Sequence, residues 1–294
     1  MNQVFRSVMH EAALLGDKIK ALERSFSQSI PAGLPYIVRL DGVSFKKFTQ
    51  PMAKPFDPRF TLAMSLTARD LLERSSARTA FCQSDEITLV FAGEPLQNQI
   101  MYSGRTDKIV SVLASMASAR FNYHIKGIQD DQWLQSPAIP DVKALSRIKD
   151  STAFFDARVF SLPDESTAAE VVQWRHKYDC RRNVINSVGF HVLGHKQMQD
   201  QPIGSVLDRL LKEHEINPFR DYPAVAIFGV FMKKIQYEST GYNPKTSEHV
   251  PCLRSKVEAR TFDWEPTGTQ QAVEMVLSKF WRPSDPPSVQ PIEL

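Results

Sequence analysis

YIVRLDGVSFKKF, residues 36–48, carries the decision about the fold: an apolar run ends on Asp41-Gly42 and passes into a short basic and aromatic segment. Asp-Gly between apolar stretches is a common hairpin signal, because both residues tolerate positive φ. Taken alone, the segment therefore reads as a structural turn. Its surroundings change that reading.

Working outward, the sequence predicts a helix over about 4–28, a strand at 36–41, and a helix near 58–75 after KPFDPRF. The strands RTAFC and EITLVFA then flank the turn QSD. A long helix spans about 104–125, with Ile109, Val112, Leu113, Met116 and Phe121 near helical spacing, and a strand returns in AFFDARVFSL. The order β-α-β-β-α-β is that of a ferredoxin-like α+β domain, in which the first strand lies beside the third. On that topology Asp41, Asp85 and Glu86 converge on one edge of the sheet. Carboxylates brought together repel, and a divalent cation is the usual neutraliser. Two magnesium ions about 4 Å apart are how polymerases activate a hydroxyl and stabilise a leaving phosphate. The topology by itself also suits a domain without metal.

Composition bounds the alternatives. A chain of 294 residues with 42% hydrophobic content can bury a substantial core. Charges interrupt the first residues throughout, so they read as an amphipathic helix rather than a signal peptide, and no run of about 18 apolar residues is present to span a membrane. Cys82, Cys180 and Cys252 are far apart and form no C-x-x-C pair, which argues against a disulfide framework or structural zinc and fits a reducing cytoplasm. A formal charge of +3, from 36 Lys and Arg against 33 Asp and Glu, does not establish nucleic-acid binding. The local concentrations FKKF, WRHKYDCRR and FMKKI matter more, although a solvated helix face explains such clusters too. The expected organisation is a palm domain over 1–165 with its N-terminal helix, a helical and β region over 166–281 packed on it, and a loose tail, RPSDPPSVQPIEL, over 282–294.

RLDGVSF, AKPFD, QSDE, SGRTDK, FDARV and DCRRN, in that order, resemble the tRNA(His) guanylyltransferases and their relatives, RNA polymerases that extend chains 3′ to 5′. The resemblance covers about residues 35–185 and continues more weakly through GHKQM to about 260. It implies a polymerase palm in which Asp41 and Asp85 bind two Mg2+ ions with the Gly42 carbonyl as a further ligand. It implies that the backbone of Gly42, Val43, Ser44, Phe45 and Lys46 wraps a nucleoside triphosphate, with Ser84 nearby and Glu86 as an outer carboxylate. A glycine permits close approach to phosphate, and successive N–H groups form an anion nest.

Lys54 and Asp57 match family residues near the nucleotide, where Asp57 would accept from a guanine edge; a proline-started helix with an acidic first turn explains them equally well. Arg105 and Lys108 share one face of the long helix's first turn and suit phosphate, or are ordinary surface bases. Asp156 and Arg158 share a strand face, so an ion pair competes with a substrate role. Arg175, Lys177, Arg181, Arg182 and Asn183 suit RNA phosphates, while Trp174 is expected in the core. His176, His191 and His195 lie on one long helical stretch without metal-ligand spacing.

The chain departs from the family at several points. Lys46 stands where histidine is frequent, Gly104 replaces a frequent arginine, and one extra residue separates Trp174-Arg175 from Asp179. The HINN string of the eukaryotic enzymes is absent, and DCRRN looks more like the D-x-x-R-N of bacterial and archaeal relatives. Template-dependent addition or tRNA 5′-end repair is therefore expected ahead of tRNA(His) guanylylation. The resemblance implies GTP or another nucleoside triphosphate as substrate, ATP for 5′-end activation, tRNA or another structured RNA as partner, and a homo-oligomer, in the family a homotetramer. A nucleotide cyclase-like palm enzyme and a non-catalytic RNA-binding module are the competing readings.

Overall fold

In the computed structural model, which describes residues 2–50, 52–131, 142–245, 247–292 and 294, the first strand, β1 (Tyr36–Gly42), is an inner strand of the sheet. Helix α1 (Asn2–Ser25) precedes it, and the single turn α2 (Phe45–Phe48) and helix α3 (Pro58–Arg74) come after it. Next come β2 (Thr79–Gln83), β3 (Glu86–Phe91), α4 (Thr106–Asp131), α5 (Val142–Lys149) and β4 (Phe155–Ser161). The β-α-β-β-α-β order is present, and the strand order β4-β1-β3-β2 sets the first strand beside the third, as expected.

Beyond β4 the chain runs through α6 (Glu165–Trp174), a π-helical turn (Arg175–Cys180), α7 (Arg181–Val192), α8 (His195–Met198), α9 (Ile203–Glu213) and α10 (Ala224–Phe228). It then rejoins the sheet, where β5 (Val230–Asn243) pairs with β2 and β6 (Glu248–Arg260) pairs with β5, giving six strands in antiparallel pairs. Helix α11 (Thr269–Leu277) completes the element order. No described helix is long and apolar enough to cross a membrane.

Strand pleat assigns the faces. Val38, Leu40, Ala80, Cys82, Ile87, Leu89 and Phe155 pack against Met64, Leu71 and Leu72 of α3 and Ile109, Leu113 and Phe121 of α4. The opposite parity, Ile37, Phe81, Val90 and Phe231, packs against Ala168 and Val172 of α6 and Met275 and Val276 of α11. Arg39 and Asp41 share this second face, where it turns polar. Alternation therefore buries Leu40 and presents Asp41 on the rim.

Residues 282–294, expected as a loose tail, make specific contacts. Arg282 pairs with buried Asp285, Arg260 Nη1 donates to the Pro286 carbonyl, Val289 N–H donates to the Thr261 carbonyl, and Ile292 and Leu294 pack on the α3 side of the core.

Asp70 of α3 is buried and accepts from His124 Nε2 at 2.7 Å and from Arg120 Nε, both on α4. Burial alone would push its carboxyl up, but hydrogen bonds from His124 and Arg120 hold it below its ordinary value of 3.8. A depressed acid stabilises the fold above the unfolded value, and that contribution is lost as pH falls through the folded value. Asp70→Ala is expected to cost about 3 kcal/mol at pH 7, since it strands two donors at the α3–α4 interface. Urea unfolding checks this, and the difference from wild type should shrink in acid below about pH 4.

Candidate functional site

Asp41 stands opposite Glu86 of β3 on one side and Asp156 of β4 on the other. Gly42 N–H donates to the Asp85 carbonyl at 3.1 Å, which ties the end of β1 to the β2–β3 turn. Asp41, Asp85 and Glu86 are thus brought to one edge. At the turn, Ser84 adopts a left-handed conformation with φ 52°, and its Oγ donates to Asp85 Oδ1 at 3.2 Å. Burial, and then the charge of Asp41, push the Asp85 carboxyl up. Burial pushes Glu86 up to about 7, although Arg175 and Arg39 pull the other way. Asp156 and Arg158 form an exposed pair 3.9 Å apart.

The backbone beyond β1 makes a nest. Val43 N–H donates to the Phe154 carbonyl, Ser44 is left-handed at φ 57°, and the chain then turns right-handed into α2. The N–H groups of Ser44, Phe45 and Lys46 have no acceptor among the described residues, and this left-then-right sequence aims them together. The nest is therefore narrower than the expected Gly42-to-Lys46 wrap, because Gly42 and Val43 spend their N–H groups on the sheet. Phe45 anchors it, with its ring centroid 4.9 Å from Phe155 and 5.3 Å from Phe121. Gly42 is needed here for space: a Cβ would lie 2.3 Å from Phe45 Cγ.

A pocket of about 280 Å³ opens beside this edge and is lined by Phe45, Lys46, Lys54, Asp57, Gln83, Ser84, Asp85 and Asn183 among others. Lys46 Nζ lies 3.3 Å from His195 Nε2. Lys54 Nζ donates to the Thr49 carbonyl at 2.8 Å, and burial lowers its pKa against the pull of Asp57. Asp57 is buried and saturated. Its Oδ1 accepts from Arg59 N–H and Nε, each at 2.9 Å, and its Oδ2 accepts from Ala53 N–H at 3.0 Å and from Arg59 Nη2. Of the two readings of AKPFD, the capped, proline-started helix is the one these contacts describe. The sequence reading missed the walls contributed by Met52, Phe60, Ser187, Val225 and Ala226. Val225 and Ala226 come from α10, a distant segment with no local signal.

Arg105 and Lys108 are not brought to this edge. At roughly 1.5 Å per residue, α4 rises about 24 Å from Thr106 to Asn122. The Asn122 side chain reaches Ala153 next to the start of β4, level with Gly42, whereas Arg105 bridges to Ser29 at the helix's other end. Arg105 pairs with Asp107 at 2.9 Å, and Lys108 stacks over Tyr102.

The basic cluster expected to meet RNA is engaged within the chain. Arg175 Nη1 donates to Glu86 at 3.2 Å and to Asp179 at 2.7 Å, Lys177 pairs with Glu265, Arg181 with Asp263, and Arg182 with Asp179. Asn183 Nδ2 donates to Gln83 Oε1. The segment expected from the resemblance to hold an extra residue, between Arg175 and Asp179, lies in the π-helical turn. Trp174 is 47% exposed rather than in the core, because it lies off the packed face of α6, and its ring carries the Arg175 guanidinium 4.9 Å away. His176 is buried and neutral: its Nε2 accepts from Trp264 N–H, its other ring nitrogen faces the Phe228 carbonyl, and burial lowers its pKa. His195 falls beyond a break at Gly194, whose φ is 76°.

The donor set suits a hard cation. Among the described residues no group of three or more His, Cys, Asp or Glu side chains is placed to hold a metal ion, so any protein ligation rests on fewer side chains. Asp41 and Asp85 offer oxygens, and the Asp41 charge disfavours an ionised Asp85. That combination fits Mg2+, which takes few protein ligands and fills the rest from water and phosphate.

Comparison with known proteins identifies the relatives of this chain. Residues 16–163 match the family model described as tRNAHis guanylyltransferase. The uncharacterized protein R259 of Acanthamoeba polyphaga mimivirus is 32% identical over 230 residues, which span 75% of this chain and 77% of that protein. A bacterial tRNA(His) guanylyltransferase-like protein in complex with ATP is 30% identical with a TM-score of 0.62, over 74% of this chain and 87% of that one. Such a protein in complex with GTP is 26% identical with a TM-score of 0.55, over 82% and 90%.

The electrostatics of the edge give a direct expectation. An acid whose folded pKa is raised costs stability once pH exceeds its unfolded value, and the full cost is reached above the folded value. Asp85→Asn is therefore expected to raise Tm by a few degrees at pH 7 in divalent-free buffer, with the gain vanishing below about pH 4. Calorimetry across that range checks it.

Proposed function

Because the chain belongs to the tRNAHis guanylyltransferase family and is accordingly a nucleotidyltransferase of tRNA 5′ ends, we propose that its reaction is template-directed 5′-end repair. In this reading Asp41, Asp85 and the Gly42 carbonyl hold two Mg2+ ions, and Glu86 stands behind them as an outer carboxylate. When bound, such ions lower the pKa of an attacking 3′-hydroxyl and neutralise a triphosphate. The chain's own groups do the remainder. The nest of Ser44, Phe45 and Lys46, with the Lys46 ammonium, takes the triphosphate of GTP or another nucleotide, Ser84 supports Asp85, and the base enters the pocket past Lys54 and Asn183. ATP adenylylates a 5′-monophosphate end with release of pyrophosphate, and the 3′-hydroxyl of the incoming nucleotide, losing its proton, then attacks that 5′ phosphorus, forming the phosphodiester and expelling AMP.

The observation that carries template direction is the saturated Asp57 carboxylate. Guanine is read through its N–H donors, and the oxygens of Asp57, which lines the pocket, are already taken by Arg59 and the Ala53 N–H. Selection then falls to pairing with the opposing RNA base. Arg182, more than half exposed, and exposed Lys47 are the cations offered to RNA phosphates in this reading. Arg105 and Lys108 serve a triphosphate only if a second copy presents them, which agrees with a homo-oligomer such as a tetramer.

Asp41→Ala and Asp85→Ala are each expected to lower nucleotide addition by at least a thousandfold without unfolding the protein. Mg2+ with GTP should raise the Tm of wild type and leave that of the double variant unchanged, by mass action. Full activity in both single variants would remove the metal assignment.

Template direction is tested by supplying each of the four triphosphates with truncated tRNAs in which the opposing base is varied. Incorporation should track the opposing base. Guanylate added to full-length tRNA(His) regardless of that base would instead establish the tRNA(His)-specific reaction.

A further inference from the structure

Helix α1 stands away from the sheet and its two helical layers. Every described side chain from Ala12 to Phe26 is exposed, Gly16 having none, and Phe26 reaches 88%. Its apolar residues are regularly placed. Ala12, Leu15, Ile19, Leu22 and Phe26 recur at alternating intervals of three and four, and in the sequence the same spacing starts at Phe5 and Val8. That is a heptad repeat, and the 24-residue helix is long enough for three heptads. On a helix these positions form a stripe narrower than the roughly 100° face that packs on a globular core.

We infer that α1 is half of a parallel two-stranded coiled coil whose other half is α1 of a second copy of this chain. Two features select that occupant. Ile19 occupies the first apolar position of its heptad and Leu15 and Leu22 the second, the β-branched and leucine arrangement that favours two parallel strands, with Ala12 and Phe26 at the other described first positions. The flanks are charged with opposite signs: Lys18 precedes Ile19 on one side of the seam, and Glu23 comes after Leu22 on the other. In a parallel pair, Lys18 of each copy faces Glu23 of the other, making two symmetric ion pairs. A membrane-surface helix would carry basic residues along both borders instead. The seam begins before the family match, which starts at residue 16, and continues into it through Ile19, Leu22 and Phe26.

Pairing supplies what the single helix lacks. Exposed Leu15, Ile19, Leu22 and Phe26 have no partner in their own chain's core clusters, and Gly16 weakens the isolated helix. The paired helices give the homo-oligomer proposed above its surface, and so rest on that assembly. They also hold the two palms at a fixed separation, joined through the short segment 26–35.

The test is the mass of the full chain by light scattering, together with disulfide trapping. Wild type is expected to be at least dimeric, and the double variant Ile19→Asp/Leu22→Asp should halve that mass while keeping the GTP-induced rise in Tm, which shows that the palm is folded. In a Cys252→Ser background, Ile19→Cys should oxidise to a covalent dimer, because this seam position meets its own copy across a parallel pair at a distance a disulfide spans. Asp17→Cys, on the outer face, should not. A monomeric wild type would overturn both the assembly and this surface. An oligomer whose mass the double variant leaves unchanged would overturn the surface alone. A halved mass without Ile19→Cys trapping would overturn the parallel arrangement.

Discussion

The register of β1 between β3 and β4 is the constraint on which the site depends. Pleat forces neighbouring residues to opposite faces, so Leu40 in the core requires Asp41 at the rim. A slip of one residue would exchange them, burying a carboxylate without a partner and moving Leu40 to the polar rim. Gly42 N–H to the Asp85 carbonyl and Val43 N–H to the Phe154 carbonyl pin the strand's end from both sides, and Phe45 locks the turn of α2 into the aromatic core. The acidic edge is thus held by hydrophobic packing and backbone pairing, at a cost in carboxylate repulsion.

That repulsion is divided unequally. Glu86 meets the guanidinium of Arg175 and lies 3.7 Å from Arg39, so the protein supplies its counter-charge. Asp85 has only Ser84 and its own backbone to lower a pKa that burial and Asp41 raise. The charge left without a protein partner is therefore the one between Asp41 and Asp85, where the proposed cations sit. The π-helical turn matters here, because Arg175 at its start reaches both Glu86 and Asp179.

The elements and the acidic edge were legible in the sequence because they arise from local signals: the apolar runs in 36–41 and 86–91, the turn at 83–85, and helical spacing from Ile109 to Phe121. The partners of the basic residues were not legible, since they depend on where distant carboxylates arrive. Lys177 and Arg181 find Glu265 and Asp263 only because the segment after β6 returns alongside the π-helical turn. Helical reach explains Arg105 and Lys108. They begin a helix whose far end, near Asn122, is the part that approaches the site, and helix length alone separates them from it. Asp57 is the instructive intermediate case, because its competitor for hydrogen bonds, Arg59, lies two residues away, and both readings fitted the same letters until side-chain direction decided.

Asp57 also links stability to specificity. One carboxylate cannot both cap α3 while binding Arg59 and remain available to a base edge, because its four bonds within the chain use the lone pairs a guanine would need. The capping role has the larger local consequence, since the start of α3 sets Phe60 against Phe45 and so positions the nest. A pocket wall committed to holding the nest rigid is poorly suited to choosing among bases. The same wall suits an enzyme in which the RNA opposite the incoming nucleotide makes that choice and the protein supplies the phosphate site, the acidic edge and the shape.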